Sequence, residues 1–389
     1  MFLQIHTLTS YHASLLNRDD AGLAKRIPFG GSTRMRVSSQ CLKRHWTEWL
    51  RKQVNLPIGQ RTRHFFSREL KKRLMRSGIN EDRANKLILH LAKGLLTAAG
   101  EKDALDKKSL EMKQPVLFGK PEADYFFELL KEADAAGDDK DATTLIDERI
   151  KKSKNNFRAL LLQAGIKDPM AGLEGALFGR FVTSDVLARV DAPVHVAHAF
   201  TTHALDTEVD FFTVVDDLAE DETGAAHAGD MELGSGIFYS YVTVDIPLLV
   251  SNLTGCKLEE WREQDHNDAR TVLDRLIHAI AEVSPGAKLG ATAPYACAEH
   301  LILESGQAQP RSLANAYLQP LRMREDRHPL AQSVEAMANF LNALEKMYGN
   351  TGENRYISSL YNWPRDKEPV LSLQQAIDRS LDDVFGRAP

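Results

Sequence analysis

Cysteine is scarce in this sequence of 389 residues: the three are Cys41, Cys256 and Cys297, far apart and without a CxxC pair. That spacing excludes a disulfide framework and a thiolate zinc site, and leaves three buried free thiols as the expectation. No stretch approaches the roughly 18 consecutive apolar residues of a membrane span. The start, Met1-Phe2-Leu3-Gln4-Ile5, lacks the charged-then-apolar layout of a signal peptide. Both absences point to a cytoplasmic protein without membrane contact. There is no P-loop, no dinucleotide fingerprint and no place where a nucleophile, a base and an orienting group stand together. Neither enzymatic activity nor a bound cofactor is therefore expected. His198 and His203 lie near acids, but a third ligand at fitting spacing is missing, so no metal site is expected either.

The 43% hydrophobic content is ordinary for a globular chain, and the length allows one large core or two modest ones. The net charge of −5 is unevenly placed. Residues 17–52 hold nine Lys and Arg against three acids, a local balance of +6, whereas residues 206–232 hold ten acids and no Lys or Arg. One basic and one acidic zone suit a polyanion partner, and equally suit head-to-tail contact between copies of the chain.

Phe2 to Leu8 reads as a strand that stops at Ser10-Tyr11-His12. After a loop at Gly30-Gly31, Leu42, Trp46, Trp49, Leu50 and Val54 recur at helical spacing, with Ser38 or Ser39 as N-cap. Residues 60–170 are dense in Lys, Glu, Leu and Ala, with helical runs at Phe65–Met75, Ala84–Leu96, Ala123–Ala133 and Ala142–Gly165. Phe178–Thr183 and Val194–Phe200 read as strands, and the alternation from Val209 to Thr213 suggests a protruding acidic hairpin. Gly236 to Ile246 is the clearest strand; a helix carrying Val272, Leu273, Leu276, Ile277, Ile280 and Val283 follows, stopped by Ser284-Pro285-Gly286. Tyr295–Leu303 supplies a last strand, and helical runs at Ala331–Met347 and Ser372–Val384 are expected to pack on the core. Without its two insertions this is strand, helix, strand, strand, helix, strand: an α+β fold with the split βαβ order of ferredoxin-like and RNA-recognition domains. The aromatic signature of a base-stacking sheet is absent, so any nucleic acid would be held by loops and insertions.

The most informative run is Asn17 to Asp20 followed by Phe29 to Arg44. A helix starting at Ser38 or Ser39 offers free N–H groups and the positive end of its dipole to an anion, and Arg34, Arg36, Lys43 and Arg44 flank that end. Gly30-Gly31 allows close backbone approach. On these residues alone, a phosphate site and a solvated basic loop both fit.

Eight motifs in order narrow the choice: LNRDD at Leu16–Asp20, FGG at Phe29–Gly31, RMRVSSQCLKR at Arg34–Arg44, GRFVTS at Gly179–Ser184, AHAFTTH at Ala197–His203, DFFTVVDDL at Asp210–Leu218, SGIFY at Ser235–Tyr239 and PGAK at Pro285–Lys288. Together they resemble the CasC family, the repeated backbone subunit of the type I-E CRISPR surveillance complex called Cascade. The resemblance covers residues 5 to about 290 and says little of 55–170 or of the region after 300. It implies a non-catalytic, hand-like protein whose copies stack head to tail along a guide RNA (crRNA), with target DNA pairing to that RNA and other Cascade subunits as further partners. The implied parts are a palm of RNA-recognition fold at 1–54, 178–199 and 236–389 (the last with the C-terminal helices), helical fingers at 55–177 and an acidic thumb hairpin at 200–235. The implied RNA contacts are Asn17, Arg18, Arg34, Arg36, Ser38, Ser39, Gln40, Lys43, Arg44, Arg180, Phe181 and Lys288. Phe181 departs from the Met common in the family. Phe200, Thr201, Thr202, His203, Phe211 and Phe212 are implied for base displacement or for contact between copies. Two other classes remain: a metal-dependent endoribonuclease using Asp19 or Asp20, because related backbone subunits of RNA-targeting complexes cut RNA with a loop Asp, and a scaffold that binds only protein.

Overall fold

The computed structural model describes residues 1–96, 105–153, 161, 169, 171–180, 190–214, 227–322, 324, 326–349 and 352–386. The described strands are β1 (Phe2–Ser14), β2 (Arg26–Phe29), β3 (Ser32–Val37), β4 (Gly59–Thr62), β5 (Val116–Gly119), β6 (Val194–Val196), β7 (Ala199–Thr201), β8 (Thr207–Val214), β9 (His227–Asp245), β10 (His300–Gly306) and β11 (Asn354–Ser359). The helices are α1 (Ser39–Gln53), α2 (Lys71–Arg76), α3 (Glu81–Leu96), α4 (Lys120–Ala135), α5 (Asp139–Ser153), α6 (Gly172–Phe178), α7 (Ile246–Thr254), α8 (Asn267–Glu282), α9 (Leu289–Thr292), α10 (Pro329–Tyr348) and α11 (Leu373–Phe385). The chain divides into two compact units, one of Met1–Gln53, His195–Ile246 and Arg270–Pro389, the other of Val54–Val194 and Pro247–Ala269.

In the first unit the strands run in the order β11-β10-β1-β9-β7-β3-β2, with β8 pairing along the outer half of β9. Neighbours along this order are antiparallel. β1 is buried almost throughout because both faces of the sheet are covered. On one face Leu8, Tyr239, Tyr241 and Ile302 pack with Leu330, Val334, Met337 and Leu341 of α10. On the other, Thr7, Thr9, Tyr11 and Phe238 meet Leu42 and Trp46 of α1 and Ile280 of α8. The alternating side chains of β1 thus serve two cores, which explains why apolar and polar residues are buried side by side in Leu3-Gln4-Ile5-His6-Thr7-Leu8. Gln4, for example, accepts a hydrogen bond from the Tyr241 hydroxyl at 2.9 Å. α10 therefore occupies the sheet face that base stacking would need.

The second unit is helical around Phe66, Leu91, Phe118, Phe126, Leu130 and Ile146, with the Phe65 and Phe118 rings stacked at 3.8 Å. β4 and β5 form a separate two-stranded pair.

Several expectations shift. Residues 26–37 form a hairpin, where the Gly-Gly pair alone suggests a loop; its turn residues Gly30 and Gly31 have φ of +61° and +77°, the left-handed pair that a tight hairpin turn requires. No strand starts at Phe178: that residue ends α6, Gly179 turns with φ +74°, and Arg180 makes an isolated bridge to Val190 within the second unit. Residues 181–189 lie outside the described residues. The strand expected at Tyr295–Leu303 begins at His300 and leaves Tyr295 in an exposed loop, and a further strand not expected from the sequence, β11, pairs with it at the sheet edge. The thiols of Cys41 and Cys256 are half-buried and that of Cys297 is exposed, against the expectation of three buried ones. No helix among the described residues is long and apolar enough to cross a membrane.

Candidate nucleic-acid interface

The basic segment is built around the start of α1. Ser38 is its cap: the hydroxyl accepts the Cys41 N–H at 3.3 Å. The Ser38 N–H is taken in turn by the Asn17 side-chain oxygen at 3.0 Å, which ties the end of β1 to the helix start. A second tie runs through the backbone, where the Lys25 N–H donates to the Asn17 carbonyl at 2.8 Å. Helices usually carry an acid in the first turn to offset the dipole. α1 has none there and places Arg51 and Lys52 in its last turn. Ser39 and Gln40 open onto solvent at this positive end.

Around it stand Arg18, exposed, and Arg36, half-buried, whose backbone N–H donates to the Lys25 carbonyl at 2.8 Å. Arg36 Nη1 lies 3.0 Å from His198 Nδ1. Burial, then Arg36 and Lys25, push the His198 pKa below its ordinary value. Lys43 is half-buried, and burial lowers its pKa too. Cys41 is raised by burial but opposed by Lys25 and Arg44, which places both cations within electrostatic reach of the first turn. Arg44 also bonds Glu48 at 3.0 Å on the exposed face of α1, a weak pair that leaves its charge available. Of the site's acids, Asp19 is used locally: its Oδ1 accepts the N–H groups of Ala21 and Leu23, each at 3.0 Å.

Two arginines expected on the surface are not there. Arg34 is 0% exposed; its guanidinium donates to the carbonyls of Thr201 at 2.8 Å and Tyr317 at 2.9 Å, and burial lowers its pKa. Arg34 and Arg36, two residues apart, share one face of β3; the segment carrying Tyr317 and Leu318, whose carbonyls face its Nη2, covers Arg34, while Arg36 stays half-buried beside His198. The close backbone approach expected at Gly30 is made by the protein itself: a Cβ there would collide with the Leu318 carbonyl oxygen. Arg180 is 2% exposed and pairs with buried Glu122 at 2.7 Å while donating to the Leu117 carbonyl at 3.1 Å. Both are internal ties, and neither reaches a ligand as the structure stands. Phe181 lies outside the described residues.

The CT1975-like protein family model matches residues 3–385. The chain belongs to this family. Among curated proteins none matches it. Two solved structures are similar to this CT1975-like chain. One is a chain of a CRISPR RNA-guided surveillance complex in a pre-nicking state, with a TM-score of 0.75 and 24% identity over 99% of this chain and 100% of that one. The other is a chain of a CRISPR RNA-guided surveillance complex, with a TM-score of 0.59 and 21% identity over 99% and 100%. At these identities the likeness shows the fold: a mixed α+β architecture built on an antiparallel sheet.

The hairpin residues of the CT1975-like chain separate into two groups. Thr201 and Thr202 are buried, with Thr201 Oγ1 donating to the His203 carbonyl at 2.9 Å and Thr202 Oγ1 3.1 Å from Ser333 Oγ. His203 accepts the Ile237 N–H at Nε2 and lies 2.8 Å from the Ala204 carbonyl at Nδ1, so the ring is neutral and committed, and burial depresses its pKa. Phe200 packs edge-on against Phe29 and Tyr239. Phe200 and Thr201 lie in β7 and Thr202 and His203 follow it, all four held by these contacts within the first unit. On β8, by contrast, Val209 is 63% and Phe211 64% exposed. Phe212, on the opposite side of the strand, lies under Lys288, whose Nζ is 5.4 Å from the ring. Glu232, counted in the acidic zone, is spent internally: it bonds Arg26 and accepts the Ala24 N–H at 2.7 Å.

Lys25 and His198 are members of this cluster that sequence reasoning did not single out as ligands. The alternation Arg26 to Val37 around Gly-Gly would have found the hairpin, and with it the pairing of Arg36 beside Phe200 that brings His198 close.

Proposed function

We propose that this chain is a guide-RNA-binding backbone subunit of a Cascade-type CRISPR surveillance complex, of the CasC kind found in type I-E, and that it acts without catalysis. Its RNA is held by the backbone at the β3–α1 junction through Arg18, Lys25, Arg36, the Ser39-Gln40 helix start, Lys43 and Arg44. Its target DNA is reached through pairing to that RNA. The observation that carries the reading is this cationic rim around an uncompensated helix start, on a sheet whose two faces are both covered by helices. A rim of that kind grips phosphates and leaves bases free, which a pairing template needs. The solved chains of similar fold come from RNA-guided complexes, which supports carrying that role across.

In this reading the β10-β1-β9-β7 order, with α1 and α8 in its connections, is the RNA-recognition palm. The second unit is the fingers, and β8 with the outer half of β9 is the thumb that meets a neighbouring copy. Residues 215–226, within that hairpin, lie outside the described residues.

The test is salt dependence. Replacing Lys43 and Arg44 together by Ala should weaken binding of single-stranded RNA and flatten the log–log salt slope by roughly 0.7 for each phosphate that the variant no longer neutralises. An unchanged slope refutes the placement. Purification from a host expressing a CRISPR array should also bring down RNA of one discrete length; assemblies that form without RNA would favour the protein-only scaffold.

A further inference from the structure

The contact between Arg36 and His198 has a direction. A guanidinium only donates, so the His198 Nδ1 that lies 3.0 Å from Arg36 Nη1 must be the acceptor. The ring is therefore neutral, with its proton on Nε2. Among the described residues neither Arg36 nor Lys25 has a carboxylate partner, and Arg36 Nε is buried without any hydrogen-bond partner. The imidazole is thus the stand-in acceptor for an arginine whose charge the protein leaves uncompensated.

We propose that His198 is a further anion-binding residue of this site and works as a proton-linked latch on Arg36. The proposal rests on the phosphate-binding reading of the β3–α1 junction and adds to it how the site answers its ligand. With no anion present, Arg36 is parked on neutral His198. When a phosphate oxygen arrives, it replaces Nδ1 as the acceptor for Arg36 and lets the ring take a proton from solvent at Nδ1. The new Nδ1–H then donates to the same anion, and the site gains a second cation that the free protein does not carry.

The charged groups acting on the ring are Arg36 from β3 and Lys25 from the segment before β2, and with burial they hold its pKa below the ordinary value. Bound phosphate offsets both cations, so the pKa rises in the complex. The complex then binds more protons than the free protein. Affinity therefore rises as pH falls through the bound-state pKa, and levels off below the free-state one. For one linked proton the steepest part approaches about tenfold per pH unit.

The experiment measures anisotropy of a fluorescein-labelled single-stranded oligoribonucleotide with the full chain, at constant ionic strength, between about pH 5.5 and about pH 8.5. His198→Gln keeps a side-chain acceptor for Arg36 but cannot titrate. Its affinity should lose one proton's share of the pH slope. Equal slopes in both proteins overturn the latch. A second reading follows the His198 ring by NMR, assigned by its loss in His198→Gln, as inorganic pyrophosphate is added: its pKa should rise, and an unmoved pKa overturns the latch independently of RNA. If pyrophosphate raises it while RNA fails to bind at any pH, the latch stands and the RNA reading falls.

Discussion

Asn17 caps Ser38 from outside the helix, accepting its N–H at 3.0 Å, and so one side chain fixes where the end of β1 meets the start of α1. Asn17→Ala should cost about 1 kcal/mol of stability, as loss of a cap generally does, and weaken RNA binding by loosening the helix start. Asn17→Asp separates the two effects. It keeps an acceptor and should unfold in denaturant close to the native midpoint, yet places a negative charge at the phosphate site. Binding that survives Asn17→Asp intact would remove Asn17 from the interface.

Arg34 and Arg36 are two residues apart on one strand and have opposite fates. Arg34→Ala should destabilise by about 3 kcal/mol, since the carbonyls of Thr201 and Tyr317 lose a charged donor inside the protein. Arg36→Ala should leave the denaturation midpoint nearly unchanged and reduce the salt slope of RNA binding. Equilibrium denaturation and salt titration on both variants read the difference directly; a reversed pattern would mean that the segment carrying Tyr317 and Leu318 covers Arg36 instead of Arg34.

Val209 and Phe211 stand exposed on the same side of β8, and an apolar pair on an edge strand is a contact waiting for a partner. Val209→Ser with Phe211→Ser should change monomer stability by less than about 0.5 kcal/mol, because little of either side chain is buried. Self-association along RNA, followed by sedimentation, should drop sharply. Assemblies of native length from this double variant would take the thumb role away from β8.

The central strands β1 and β9 and the helix of residues 39–53 were readable because their periodicities of two and of about 3.6 are carried by residues that the core selects, whereas β2, β3 and β11, toward the edges of the sheet, were not. Nor was the burial of Arg34. A run such as Arg34-Met35-Arg36 announces charge, but which of two arginines on one strand face is covered depends on the carbonyls of Thr201 and Tyr317, both distant in sequence. Arg180 was misleading for the same reason, its partner Glu122 being 58 residues away. The acidic zone read as a uniform surface, yet Glu232 serves Arg26 and Ala24. Local charge sums locate a site and say little about which members face it.

The Asp19-Asp20 pair is where the catalytic alternative is tested. A carboxylate that holds a metal for RNA cleavage needs lone pairs free to ligate. Asp19 Oδ1 accepts two N–H groups, and the Asp19 N–H donates to the Leu23 carbonyl at 2.8 Å, so this oxygen organises the loop that the residue occupies and only Oδ2 is left for a ligand. Asp20 is exposed beside it. Asp19→Asn preserves an acceptor for the turn and removes the charge, whereas Asp19→Ala removes both. With Mg²⁺ and RNA complementary to the guide, the native assembly should leave its target uncut, and Asp19→Asn should bind as the native chain does. Asp19→Ala should bind more weakly, because the loop beside Arg18 then lacks the acceptor that shapes it. Evenly spaced cuts made by the native chain and abolished in Asp19→Asn or Asp20→Asn would replace the structural role with an endoribonuclease.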